Sequence, residues 1–153
     1  MKNIVWTLYV DGASRNNPGV SGAGIYIEKD GILFIKCGYY LGIKTNNQAE
    51  YLALLLGLFI INEHILPEDS LTIVSDSKLL IQQLLGAYKV KNTDLYILYQ
   101  ACKKYIQTYN VILRHVLRNE NKRADAMANY GVDSKLFPPK KYIILLENHG
   151  IQL

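Results

Sequence analysis

The sequence predicts an α/β domain, a mixed β-sheet flanked by helices. Three observations carry this. Three β-rich runs lie within residues 4–40 across two tight connections, which suits an antiparallel meander. Two further short β-rich runs, 71–74 and 111–113, alternate with helical patterns, as in sheets covered by helices. The chain has 153 residues, 50% of them hydrophobic, which is enough for one domain with a substantial core and too few for two comfortable ones.

The elements come in order along the chain. Residues 4–10 are read as the first strand, ended by Asp11-Gly12 and by Asn16-Asn17-Pro18-Gly19. Residues 22–27 form the second strand, Lys29-Asp30-Gly31 a turn, and 32–40 the third strand. Asn46 or Asn47 caps a helix running to about Ile61, apolar on nearly every side and therefore buried. Residues 71–74 are a short apolar strand expected at the sheet centre. Ser77 starts a helix through about Leu85, residues 86–92 form a loop with two lysines, and Thr93 caps a helix to about Tyr109. After the fifth strand, Asn119 or Asn121 opens a last helix with Ala124, Met127 and Ala128 inward. The chain beyond Gly131 is expected to be a docked extension.

Net charge is +4, a mild pointer to a polyanionic partner. Lys89, Lys91, Lys103, Lys104, Arg114, Arg118, Lys122 and Arg123 all fall in the second half. The longest apolar stretch, 51–61, is too short to span a membrane. Cys37 and Cys102 lack metal-ligand spacing, and the sequence opens directly into a strand pattern. Reduced thiols in a cytoplasmic protein are the expectation.

Four acids fall where α/β proteins build sites, at strand ends and helix starts. They are Asp11 after the first strand, Glu50 in the first turn of a helix, Asp76 after the fourth strand, and Asp125 early in the last helix. Each has an ordinary reading. Asp11-Gly12 makes a turn, Glu50 serves a helix dipole, Asp76 caps a helix, and Asp125 is a solvated surface acid. Together they make an oxygen-rich cage suited to hard divalent cations, which offset the clustered charge and activate water at a phosphodiester.

These segments resemble ribonuclease H of type 1, the enzymes that cut the RNA strand of RNA–DNA hybrids. The match runs through Tyr9-Val10-Asp11-Gly12-Ala13-Ser14 and Asn17-Pro18-Gly19. It continues through Thr45-Asn46-Asn47-Gln48-Ala49-Glu50-Tyr51 and Val74-Ser75-Asp76-Ser77. It closes on His115-Val116-Leu117-Arg118-Asn119-Glu120-Asn121 and Ala124-Asp125-Ala126-Met127-Ala128, covering roughly residues 4–131. The resemblance implies a five-stranded mixed sheet, three antiparallel strands then two parallel, flanked by about four helices. It implies a catalytic domain over 1–134 and a tail, 135–153, docked on it.

By the same resemblance Asp11 bridges two Mg²⁺ ions, with Mn²⁺ as substitute. Asp125 joins it at the ion that activates water, and Glu50 and Asp76 at the ion near the leaving 3′-oxygen. His115 matches the family's loop histidine, which assists proton transfer or product release, and Arg118 is a phosphate-contact candidate in that loop. Their ordinary readings are a locally hydrogen-bonded histidine and a solvated arginine. Asn17, Thr45, Asn46 and Asn47 match the amide and hydroxyl contacts to the minor groove and a DNA phosphate. Turn and cap chemistry is their ordinary use, and both uses can coexist. Lys78 stands where some relatives carry Gln. A short form without the family's basic handle or a separate hybrid-binding domain is expected, with Lys89 and Lys91 as a reduced substitute for the handle.

The implied activity is endonucleolytic hydrolysis of RNA in an RNA–DNA hybrid, leaving 5′-phosphate and 3′-hydroxyl ends. A monomer with the hybrid as partner and no membrane is expected. Two other functions compete: a related nuclease acting on DNA, and a catalytically silent nucleic-acid-binding module. The Thr45-Asn46-Asn47 segment and the His115 loop argue against the first. The intact set of acids argues against the second.

Overall fold

A meander of β1 (Val5–Ser14), β2 (Gly19–Lys29) and β3 (Ile32–Lys44) opens the chain in a computed structural model that describes residues 3–153. Met1 and Lys2, the first two positions of the expected domain, lie outside the described residues. Next come α1 (Asn46–Ile61), β4 (Ser70–Ser75), α2 (Lys78–Leu84), α3 (Thr93–Ile106) and β5 (Asn110–His115). A 3₁₀ turn (Arg118–Glu120), α4 (Lys122–Ser134) and α5 (Lys140–Asn148) complete the chain.

The sheet order is β3-β2-β1-β4-β5, antiparallel from β3 to β1 and parallel from β1 to β5. This is the ribonuclease H-like arrangement expected from the resemblance. Asp30 and Gly31 both have positive φ, 51° and 81°, which matches the twist of the β2–β3 hairpin. β1 rather than β4 holds the centre, because β1 alone pairs with both the meander and the parallel half.

The alternation along β1 sets the layers. Trp6, Leu8 and Val10 are buried toward α1, which is buried on almost all sides. Leu52, Leu54, Leu55, Leu56 and Leu58 of α1 are at most 1% exposed. Each contributes about 1.5–3 kcal/mol relative to an exposed side chain. The opposite face of β2 is lined with glycine where α4 crosses it. A Cβ at Gly24 would lie 2.0 Å from the Ala124 carbonyl oxygen, so no larger residue admits that helix so close to the sheet.

Several expectations are corrected. β1 does not end at Asp11-Gly12. Asp11 pairs with Gly24 and the ladder runs on to Ser14↔Ser21, so pairing with β2 overrides the turn propensity of Asp-Gly. β3 runs to Lys44 for the same reason. The cap of α1 is Thr45, not Asn46 or Asn47. Thr45 Oγ1 accepts from the Gln48 amide at 3.2 Å and Gln48 Oε1 accepts from the Thr45 amide at 2.9 Å, a reciprocal capping box. Asn92, not Thr93, caps α3, which stops at Ile106. Met127 is only half-buried, while Ala124 and Ala128 are fully buried.

A fifth helix, α5, lies in the tail. Its Tyr142 is fully buried and donates its hydroxyl proton to the Leu52 carbonyl of α1 at 2.8 Å. Before it, the Leu136 carbonyl accepts from the Tyr40 amide of β3 at 2.7 Å, and Phe137 packs on Tyr40 with ring centroids 5.3 Å apart. Cys37 and Cys102 are unpaired. Among the described residues, no helix is long and apolar enough to cross a membrane.

Candidate active site

The parallel ladder between β1 and β4 ends at Tyr9↔Val74. Asp11 and Asp76 each lie two residues beyond that last pair, so both sit at the open edge where parallel strands of α/β sheets present functional groups. Glu50 arrives from the start of α1, and Gly12 permits it. A Cβ at Gly12 would lie 2.2 Å from the Ala49 carbonyl carbon. The Gly12 amide also donates to Glu50 Oε1. Gly12 therefore acts through close approach and not as a turn residue. Gly12→Ala is expected to lower stability by about 2–3 kcal/mol, read as a fall in the denaturation midpoint at unchanged m-value.

One carboxylate oxygen from each of Asp11, Glu50 and Asp76 lies within 4.8 Å of the others. Asp11 is 6% exposed and Glu50 9%. Asp76 is half-buried. Asp125, in the first turn of α4, stands outside that cluster but next to Asp11, on which its charge and a hydrogen bond act. The Asn129 amide nitrogen, one turn further along α4, donates to the Asp125 carbonyl at 3.0 Å and to its carboxylate at 3.4 Å.

The cluster is short of positive charge. Among the described residues the ion pairs are Arg15–Asp133 and Arg123–Glu28, and neither involves these acids. Burial, then repulsion from Glu50, Asp76 and Asp125, pushes the Asp11 carboxyl up to about 9. Burial pushes Glu50 up to about 8, against the pull of the Gly12 amide. Burial also raises Asp76, and Arg118 opposes it. Asp69 shows how this fold satisfies a structural acid. It is 2% exposed, and burial raises it. Yet hydrogen bonds from the Leu66 and Ile4 amides and the Trp6 indole outweigh that and hold it below its usual value. Asp11 has no such set of donors. A pair of buried, charge-starved carboxylates with a third at contact range fits hard divalent cations, whose ligands are oxygens.

Asn121 does more than open a helix. It is 2% exposed and spans the site floor. Its amide nitrogen donates to the Val10 carbonyl at 2.9 Å, just before Asp11, and its carbonyl accepts from the Asp125 amide at 3.1 Å. It makes no side-chain cap, and its Oδ1 is buried without a partner. The sequence signal for this role is spacing, since Asn121 precedes Asp125 by one helical turn. Ser77 likewise exceeds its expected role as a cap. It does cap α2, accepting from the Leu80 amide at 3.1 Å, and its hydroxyl also holds Glu50 down.

The other expected residues surround this edge. His115 ends β5 in register with Ser75, the neighbour of Asp76. It is exposed and lines an open cleft of about 450 Å³ with Arg114, Val116, Leu117 and Glu120. Arg118 is exposed on the 3₁₀ turn after it. Asn17 and Asn46 are joined directly, the Asn46 amide donating to Asn17 Oδ1 at 3.0 Å. Thr45 is half-buried in its capping role, and Asn47 and Lys78 are exposed at the starts of α1 and α2. Lys89 and Lys91 are exposed on the connection between α2 and α3.

A family described as reverse transcriptase-like matches residues 9–131. Ribonuclease HI of Halobacterium salinarum is 35% identical over 127 residues, covering 82% of this chain and 63% of that protein. Ribonuclease H of Alcanivorax borkumensis is 31% identical over 157 residues, covering 87% and 93%. The chain spans less than two thirds of the archaeal relative and only 34% of the length of three similar mycobacterial proteins. Among solved structures, the complex of LC11-RNase H1 with an RNA/DNA hybrid is similar with a TM-score of 0.79 at 29% identity, covering 86% of this chain and 98% of that one.

Proposed function

Because this chain belongs to the type 1 ribonuclease H family, we propose that it is a metal-dependent endonuclease that hydrolyses the RNA strand of RNA–DNA hybrids. The observation that carries the reading is the meeting of Asp11, Glu50 and Asp76, from three elements, within 4.8 Å at one sheet edge. Among the described residues no ion pair involves them, and the charge of Arg118 on Asp76 leaves Asp11 and Glu50 well above their ordinary values. Asp11, Glu50, Asp76 and Asp125 would hold two Mg²⁺ ions when the hybrid is bound, with Mn²⁺ able to take their place. Bound there, the ions supply the positive charge that acidifies a water and offsets charge on the phosphoryl oxygens. The P–O3′ bond is the one broken, so the products carry 5′-phosphate and 3′-hydroxyl ends.

The remaining residues bind and orient. His115, exposed at the end of β5 beside the Asp76 edge, would move a proton or help the product leave. Asn17, Thr45, Asn46 and Asn47 form one linked corner of amides and a hydroxyl, suited to phosphate and to 2′-hydroxyls. Lys78 and Arg118 flank Asp76 in the chain or in charge and would meet phosphates. Recognition by 2′-hydroxyl and helix shape leaves base identity of little weight, and a cytoplasmic monomer suffices for it.

Lys89 and Lys91 serve as a reduced basic handle in this reading. Reversing both to Glu is expected to weaken hybrid binding and to flatten its salt dependence by about 0.9 in log–log slope for each phosphate no longer neutralised. An unchanged slope removes them from the interface. The function as a whole is tested with a labelled hybrid beside RNA–RNA and DNA–DNA duplexes, each with Mg²⁺, Mn²⁺ or EDTA. The expected result is RNA cleavage in the hybrid alone, with either metal and never with EDTA. Cleavage of the DNA duplex with the hybrid untouched would falsify the assignment.

A further inference from the structure

We infer that the segment after α5 is a positioning strap for the β3–α1 corner, tied through Lys44, so that residues outside the matched family region set the placement of Asn46 and Asn47. The family match ends at residue 131, and nothing in it accounts for residues 149–153. The inference rests on the hybrid-binding role proposed above for that corner.

The path of the chain supplies the first support. α5 ends at Asn148 with His149 as its cap, and Gly150 follows with a φ of +76°, the left-handed conformation that glycine adopts freely. The Gly150 amide donates to the Glu147 carbonyl and the Ile151 amide to the Leu146 carbonyl, both at 2.9 Å. These are the paired bonds of a Schellman cap, which turns the chain back on the helix it leaves. Ile151 and Leu153 then pack against the core.

The second support is Lys44. Its ammonium donates to the Gln152 carbonyl at 2.6 Å. Its own carbonyl accepts from Ser14 Oγ at 2.9 Å and from Ser21 Oγ at 3.2 Å. Lys44 is thus held by β1 and β2 on one side and by the strap on the other. It directly precedes Thr45, the cap of α1, and then Asn46, which is bonded to Asn17. Beneath the strap lies a cavity of about 180 Å³ bounded by Lys44, Gln48, Leu52, Asp94 and residues 150–152. Packing beneath the strap is therefore incomplete at this point, and the corner is held by the end of the β2–β3 ladder together with these polar ties.

A lysine beside a nucleic-acid surface has a simpler use, direct contact with phosphate. A double-mutant cycle separates the two. Lys44→Met keeps the stem and removes the donor, and Ile151→Asp unseats the strap while leaving Lys44 in place. Ile151→Ala replaces it if the charged variant does not fold. Each single change is expected to raise KM for the hybrid about 3- to 10-fold, with kcat within about twofold, and the double variant to be no worse than the worse single. Hydrogen exchange at the amides of residues 45–50, measured without nucleic acid, is expected to quicken in both. Additive losses in KM, or unchanged exchange, overturn the inference. Faster exchange in both variants of a protein that binds no hybrid upholds the strap and counts against the hybrid reading alone.

Discussion

Asp11→Asn is expected to reduce hybrid cleavage on the order of 10³-fold or more and, without metal, to raise the melting temperature. The two effects have one cause. Asp11 is 6% exposed, and Glu50, Asp76 and Asp125 all repel its charge. Asparagine keeps the shape and removes the charge that would hold a cation, so activity falls. It also removes one member of a crowded, desolvated set, so the empty site relaxes. Each pKa unit of mismatch corresponds to about 1.4 kcal/mol, and a gain of about 1–3 kcal/mol is expected after relaxation. For a chain of this size that is a rise of about 2–10 °C in melting temperature. A fall of similar size in EDTA would instead make Asp11 a structural hydrogen-bonding residue like Asp69, and would remove the basis for a cation there.

The second large effect is a dependence of metal-free stability on pH, with a definite sign. The Asp11 and Glu50 carboxyls are raised in the folded protein to about 9 and about 8, from ordinary values of 3.8 and 4.5. Between those limits the folded state holds protons that the unfolded chain has released. Stability is then fully present below pH ~4 as far as these groups are concerned, and is lost as pH rises toward 8–9. In EDTA the melting temperature is expected to fall by about 5–10 °C between pH 5 and pH 9. Mg²⁺ should restore more at pH 9 than at pH 5, because it replaces protons that are absent only at high pH. Calorimetry at both pH values, with and without Mg²⁺, checks this. A metal-free melting temperature that climbs with pH in this window would mean the acids are satisfied by the fold itself.

Much of this site was legible in the sequence because its parts obey local rules. Thr45 through Glu50 reads as the start of a helix, and Asp76-Ser77 as a strand running into a capped helix, which is how they fold. The parts that escaped depend on partners distant in the chain. Asp11 lies inside a strand because Gly24 pairs with it, and local turn propensity says nothing of that. Gly12 matters because the backbone of Ala49 comes within contact range, and Asn121 because it reaches the Val10 carbonyl. The choice of Thr45 over Asn46 as cap turns on Gln48 returning the hydrogen bond, a four-residue pattern easily passed over beside two adjacent asparagines. The tail helix is short, and its apolar face makes sense only once α1 is there to receive Tyr142.

The division of the four acids among β1, α1, the connection after β4, and α4 also bears on synthesis at the ribosome. A growing chain that has emerged just past β4 already carries Asp11, Glu50 and Asp76, but not the segment that brings Asp125 and the Asn121 tie. The glycine-lined face of β2 stays uncovered until α4 arrives. Completion of the acidic set and closure of that face of the sheet are therefore one event, which waits for α4. A polypeptide that stops before α4 would have neither a closed core nor a full set of ligands for metal.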